Sequence, residues 1–380
     1  MNKGNNNTPI LAICYDFDKT LSPTDMQAQG YIQSIDNDVD SFWKTSNKLA
    51  EENEMDQNLA YMYMMSKGSR GKFVFNKEKL REFGSKVSLF PGVDTWFDRI
   101  NRYGKKKEVQ IEHYIISSGL KEMIEGTSIA EKFKKIYASS FYYDEDGVAV
   151  WPAQVVNYTD KTQYLFRIEK GVLDVNDQSV NNYYPLDKLR IPFRNIVYIG
   201  DSDTDIPCMK LVNANGGHSI GVYNSETRDK RKVFRMLEEN RIKYFEPADY
   251  TEGSELEKLL KQIIDRTKAN EVLEQVYYKC LAEQSSETYG QDRATKEKAV
   301  LIDSLKESVN FNNTHSIIKK LNQIKYWTEE EKEQLLRIAN ENSQVKLILG
   351  DNDVQDFYMK ICNGQNDDAI KIAEIIKKRS

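Results

Sequence analysis

Four short apolar runs set the terms on which the first 250 residues can fold. Ile10 to Tyr15, Val109 to Ile116, Ile196 to Ile199 and Ser219 to Tyr223 each have strand length, and each is followed by polar or glycine-containing residues and then a helical pattern. That alternation predicts a parallel α/β sheet, which places its ligand at the carboxyl ends of its strands. Proline draws the other boundary: all eight lie between Pro9 and Pro247, and none follows. Beyond that point Leu256, Leu259, Leu260, Ile263 and Ile264 repeat at the spacing of one helix stripe. Further helical patterns cover about 292–309, 313–324 and 328–341, the last opened by a capping box at Thr328 and Glu331.

The chain therefore divides into an α/β core over 8–24 and 88–250, an inserted helical segment over 25–87, and a helical domain over 251–380. Few β-branched residues and many Met, Lys, Glu and Asn mark the insertion, with helix-like stretches near 25–36, 41–65 and 76–86. Ile136 to Val156 reads as a hairpin, aromatic strands flanking Asp144 to Gly147, with Gly147 suited to positive φ. The Asn-rich stretch 173–183 reads as a surface loop. There is no internal repeat.

A net charge of −5 over 380 residues, with 54 Lys and Arg against 59 Asp and Glu, gives neither a basic nucleic-acid surface nor a polyacid tail. No run approaches the ~20 apolar residues that span a bilayer, and the start, MNKGNNNTPILAIC, does not read as a leader, so a cytoplasmic location is the expectation. Cys14, Cys208, Cys280 and Cys362 have no paired spacing and read as buried thiols rather than a disulfide framework or a zinc site. His113, His218 and His315 are dispersed and read as structural.

The chemistry concentrates at the strand ends. The first run closes in Asp16-Phe-Asp18-Lys-Thr20, and because alternate strand residues share a face, both carboxylates point the same way where the sheet opens. The third run closes in Asp201-Ser-Asp203-Thr-Asp205, a second acidic cluster at the same edge. Carboxylates brought together repel unless a cation intervenes, and oxygen donors with no nearby His or Cys suit a hard ion such as Mg²⁺. Asp203 is weighed mainly as a helix cap rather than a metal ligand. The second run closes in Ser117-Ser118-Gly119, a hydroxyl and backbone N–H donors before a helix, which is a natural anion seat. Thr20 is balanced between turn support and catalytic positioning, and Met62, Met64 and Met65 with Tyr61 and Tyr63 are expected to form helical core rather than line a cavity.

Taken in order, Asp16-x-Asp18-x-Thr20, Ser117, a lysine, and Gly200-Asp201-Ser202-x-x-Asp205 resemble the four motifs of the haloacid dehalogenase (HAD) superfamily, and the segment between the first two resembles the helical cap of phosphoserine-phosphatase-like members. The resemblance covers about 8–250 and leaves the helical tail outside it. For the lysine, Lys161 is preferred to Lys170 because it opens a helix after the hairpin. The resemblance implies a doubly wound, Rossmann-like core and Mg²⁺-dependent hydrolysis of a small phosphomonoester through an aspartyl phosphate. Asp16 would be the nucleophile and Asp18 the general acid and base. Ser117, Ser118, Gly119 and Lys161 would hold the phosphate, and Asp16, Asp18 (through its main-chain carbonyl), Asp201 and Asp205 would surround the metal. Alternatives are a phosphotransferase built on the same phospho-enzyme, and an interaction protein whose function lies in the tail. Residues 251–380 are also the expected surface for a second copy or a protein partner.

Overall fold

The computed structural model describes residues 8–288, 292–324, 326–362 and 367–379. Residues 1–7, which carry part of the reading of the amino terminus, lie outside it. Seven strands form one sheet in the order β4-β3-β2-β1-β5-β6-β7, with β1 at Ile10–Tyr15, β2 at Gln110–Leu120, β3 at Lys135–Tyr143, β4 at Ala149–Gln154, β5 at Ile196–Gly200, β6 at His218–Tyr223 and β7 at Tyr244–Pro247. All pairings are parallel except β3 with β4. β1 lies at the centre, pairing Ile13 with His113 of β2 and with Val197 of β5.

The period of two along β1 explains why the sheet is covered on both faces. Leu11, Ile13 and Tyr15 enter one core with Trp96, Phe97 and Ile100 of α5 (Val93–Lys106) and with the inserted helices. Ala12 and Cys14 enter the other, against Leu165 and Ile168 of α7 (Asp160–Lys170), Met209 and Val212 of α8 (Ile206–Ala214) and Met236 of α9 (Arg231–Glu238). This is the expected doubly wound α/β sheet. One expected detail is corrected: the hairpin is no excursion, because β3 joins the main sheet, pairing Tyr114 with Lys135 and Ile116 with Tyr137. Gly147 does take the positive φ of its turn, +75°. The expectations also missed β7, which is four residues long and ends in Pro247.

Between β1 and β2 run α1 (Tyr31–Ser34), α2 (Val39–Glu52), α3 (Gln57–Gly68) and α4 (Lys77–Gly84). The stretch expected as one helix over 41–65 is two, broken where Glu54 takes φ +49° and Asp56 caps α3 by accepting from the Asn58 and Leu59 N–H groups. α6 (Lys121–Glu125) follows β2, and the long α10 (Glu255–Thr288) contributes Leu256, Leu260, Ile263 and Ile264 to the first core.

Two compact units form, 1–274 and 275–380. The second holds the end of α10, then α11 (Asp292–Lys306), α12 (Phe311–Leu321), α13 (Glu329–Glu341), α14 (Ser343–Leu347), α15 (Asn352–Ile361) and α16 (Asp367–Arg379). Its own core includes Leu305, Ile318, Leu335, Leu349, Phe357 and Ile372. The capping box is present: Thr328 Oγ1 accepts from the Glu331 N–H at 3.2 Å and Glu331 Oε2 accepts from the Thr328 N–H at 2.8 Å. No helix among the described residues is long and apolar enough to cross a membrane. The expectation of four buried thiols is corrected at Cys280, which is exposed on α10, and at Cys362, which is partly so just past the end of α15; a cysteine's face cannot be read from the residue alone.

Candidate active site

Three strands deliver their carboxyl ends to one place. Asp16 follows β1 directly and is held by its backbone N–H, which donates to Ile199 O of β5 at 2.9 Å. Its Oδ1 accepts from the Phe17 N–H at 2.8 Å, while Oδ2 faces Lys161 Nζ at 3.4 Å. Lys161 is the second residue of α7, fully buried, and its ammonium also donates to Asp205 Oδ1 at 2.7 Å. A buried lysine is costly unless paired, and here two carboxylates hold its charge. Burial works against the ammonium, but Asp16 and Asp205 outweigh it and raise its pKa.

Asp205 is fully buried, and four donors fill it: Oδ1 accepts from Lys161 and from Tyr198 OH at 2.9 Å, Oδ2 from the Ser202 N–H at 3.0 Å and hydroxyl at 2.8 Å. A carboxylate has about four lone-pair sites. Asp205 therefore orients Lys161 and the turn after β5. Its pKa is lowered because Lys161 and the Ser202 donors together overcome a burial penalty that would raise it. Tyr198 went unnoticed in the sequence; a tyrosine inside an otherwise aliphatic buried strand was the available signal, since its hydroxyl needs a partner.

Asp201 sits beside them with Lys232 Nζ at 3.8 Å. Oxygens of Asp16, Asp201 and Asp205 lie within 4.8 Å of one another. Burial and the mutual repulsion of these carboxylates push Asp16 up to about 6 and Asp201 up to about 8. All-oxygen donors carrying more negative charge than Lys161 balances fit a hard divalent cation. Asp203 is elsewhere: its side chain is exposed and pairs with Arg235 at 3.2 Å, so it is neither the helix cap expected of it nor part of this cluster. Ser202 takes the capping position instead.

Asp18 lies just before a turn in which Lys19 takes φ +57°. The Met26 N–H donates to Asp18 Oδ1 at 2.7 Å, and Oδ2 lies so near Gly119 that a Cβ there would come within 2.9 Å of it. Burial first, then Asp25 and Asp16, raise its pKa well above the carboxylate range, which favours the protonated acid. Ser117 is buried, and its hydroxyl lies near enough to the Asp16 carboxylate to favour the charged form against burial. The Gly119 N–H donates to Ser117 Oγ at 3.2 Å. Ser118 Oγ and Thr20 Oγ1 are buried with no partner among the described residues. Lys170 is turned away, donating to the carbonyls of Val180 and Asn182 and so anchoring the loop expected over 173–183. Tyr61, Met62 and Met65 are buried and Tyr63 is half-exposed.

Sheet order, cover on both faces and four distant segments converging at the carboxyl edge define a doubly wound α/β protein with an acidic site at that edge. The chain belongs to the same family as an uncharacterized protein of Borreliella burgdorferi strain B31, to which it is 30% identical over 275 residues, covering 65% of this chain and 94% of that protein. No family model matches it. Among solved structures it is similar to a HAD family hydrolase of Salmonella enterica serovar Typhi, at 17% identity and TM-score 0.40 over 59% of this chain and 66% of that one. It is also similar to a phosphoserine phosphatase holding a phospho-aspartyl intermediate analogue, at 15% identity and TM-score 0.40 over 67% of this chain and 99% of that one. These last two likenesses concern arrangement alone.

Proposed function

We propose that the protein is a HAD-type phosphomonoester hydrolase acting through an aspartyl phosphate. The observation that carries this reading is the buried Lys161 ammonium set between Asp16 and Asp205, with Ser117 beside Asp16. Such a placement leaves Asp16 oriented and a cation and a hydroxyl ready for an anion beside it. Asp16 Oδ attacks phosphorus as the bond to the leaving oxygen breaks, and Asp18, whose pKa burial and then Asp25 and Asp16 raise, gives that oxygen its proton. Water then attacks the same phosphorus, Asp18 takes back a proton, and the bond to Asp16 breaks. Ser117, the Gly119 N–H and Lys161 bind the phosphoryl oxygens through both steps. Mg²⁺, held by Asp16, Asp201 and the main chain at Asp18 with Asp205 alongside, would offset the repulsion between carboxylate and phosphate.

The substrate is proposed only as a small phosphomonoester, and a cytoplasmic location and a partner surface on the tail stand as proposals. Asp16→Asn should remove hydrolysis of p-nitrophenyl phosphate and of a phosphomonoester panel, by at least about a thousandfold, with the fold retained. EDTA should abolish wild-type turnover and Mg²⁺ restore it. Normal turnover by the Asn variant would refute the assignment.

A further inference from the structure

The inserted helices touch the anion seat through one hydroxyl. Tyr61 of α3 is buried, and its OH donates to the main-chain carbonyl of Ser118 at 2.8 Å. A second donor reaches the same oxygen, Ser139 Oγ of β3 at 3.2 Å, and Ser139 is itself fixed by the Val156 N–H at 3.1 Å. The Ser118 carbonyl belongs to the planar trans peptide whose N–H is that of Gly119, so the two groups point in opposite directions. Holding the carbonyl on one side aims the N–H at the other, where it meets Ser117 Oγ. That peptide is also confined, since a Cβ on Gly119 would lie 2.4 Å from Met26 Cε.

α3 is tied to the core at two further points, one buried and one partly so. Asn58 Nδ2 donates to Val156 O at 2.8 Å, and Asn157 Nδ2 donates to Asp56 Oδ2 at 3.0 Å. Both join α3 to the segment leading into Lys161. The helix is thus fastened to the chain on either side of the proposed phosphate site.

We propose that Tyr61 is a positioning residue by which the inserted helices set the Ser118–Gly119 peptide, so that the seat for a phosphoryl group is complete only while α3 is docked. This rests on the phosphatase reading. The competing view is that Tyr61 is a core tyrosine whose hydroxyl took the nearest carbonyl. Tyr61→Phe keeps the ring and removes the bond. Tyr31→Phe is the control: the Tyr31 OH donates to Met65 O at 2.6 Å inside the inserted helices and does not touch the seat.

Two readouts decide. The Gly119 amide, followed by NMR in the full-length protein, should shift and exchange faster with solvent in Tyr61→Phe and stay as wild type in Tyr31→Phe. Orthovanadate with Mg²⁺ should bind Tyr61→Phe about three- to tenfold more weakly, the loss of one hydrogen bond, and Tyr31→Phe unchanged. A Gly119 amide unmoved in Tyr61→Phe, or one moved equally in both variants, overturns the positioning role. Wild-type protein that takes up no vanadate overturns the phosphatase reading and the seat with it, whatever the amide does.

Discussion

Protonating His113 would break a chain of buried hydrogen bonds. Trp96 Nε1 donates to Tyr15 OH at 2.9 Å, Tyr15 OH lies 3.1 Å from His113 Nδ1, and His113 Nε2 lies 3.0 Å from Asn101 Oδ1. With Nε2 carrying the hydrogen toward Asn101, Nδ1 is free to accept from Tyr15, a tautomer assigned from these partners. Burial pushes the His113 pKa down to about 3 from an ordinary 6.5. Between those values the unfolded chain binds the proton and the folded one does not, so this contribution to stability is intact above about pH 6.5 and is lost as pH falls toward 3. His113→Gln should therefore lower Tm at pH 7 yet flatten its decline between pH 6.5 and 4, as thermal melts would show; an unchanged slope would contradict it. Residue type and strand-end position made Asp16, Asp18, Ser117, Asp201 and Asp205 legible as candidates in the sequence, and the family resemblance added Lys161 at the start of a helix. Tyr198 was not, and Tyr61 was legible only as helical core, because what each hydroxyl reaches is set by another element: a tyrosine on a helix and one in a strand look alike until a neighbour supplies the acceptor.

Between elements, α4 and α6 approach backbone to backbone. A Cβ on Gly84 would lie 1.9 Å from Met123 O, and one on Gly126 would lie 2.1 Å from Arg81 O, so each glycine lets the other helix's backbone in. This crossing fastens the last inserted helix to the one that follows β2, and β2 carries Ser117. Gly84→Ala cannot be accommodated by turning a side chain, since the obstacle is main chain. It should cost about 1–3 kcal/mol in denaturant unfolding, and a variant of wild-type stability would show that the two helices are free to part. Neither glycine announced this in the sequence, where Gly84 fell inside the helical stretch expected over 76–86. The pairing of β3 with β2 was hidden for a related reason. A local pattern of aromatic strands around a turn specifies a hairpin, but which sheet edge the hairpin joins is a non-local hydrogen-bonding choice.

At the level of the whole molecule, the apolar residues of α10 that enter the first core end at Ile264, and the second unit holds a core of its own. A chain ended after Glu274 should fold and keep Mg²⁺-dependent hydrolysis within about a factor of two, because no residue of the proposed site lies beyond Asp205 and burial, not tail contact, supplies most of a domain's stability. Loss of folding in that shortened chain, read by circular dichroism, would count against it. The sequence by itself determined the alternation of strands and helices, the helical tail and the residue types at each strand end, since these follow from periodicity and composition within windows of ten or twenty residues. Only the tertiary structure decided that Lys161 would stand between Asp16 and Asp205, that Asp203 would turn to Arg235, and that Tyr61 would reach Ser118. Those are contacts between segments tens to more than a hundred residues apart, fixed by how helices and sheet close-pack, and no local pattern encodes them.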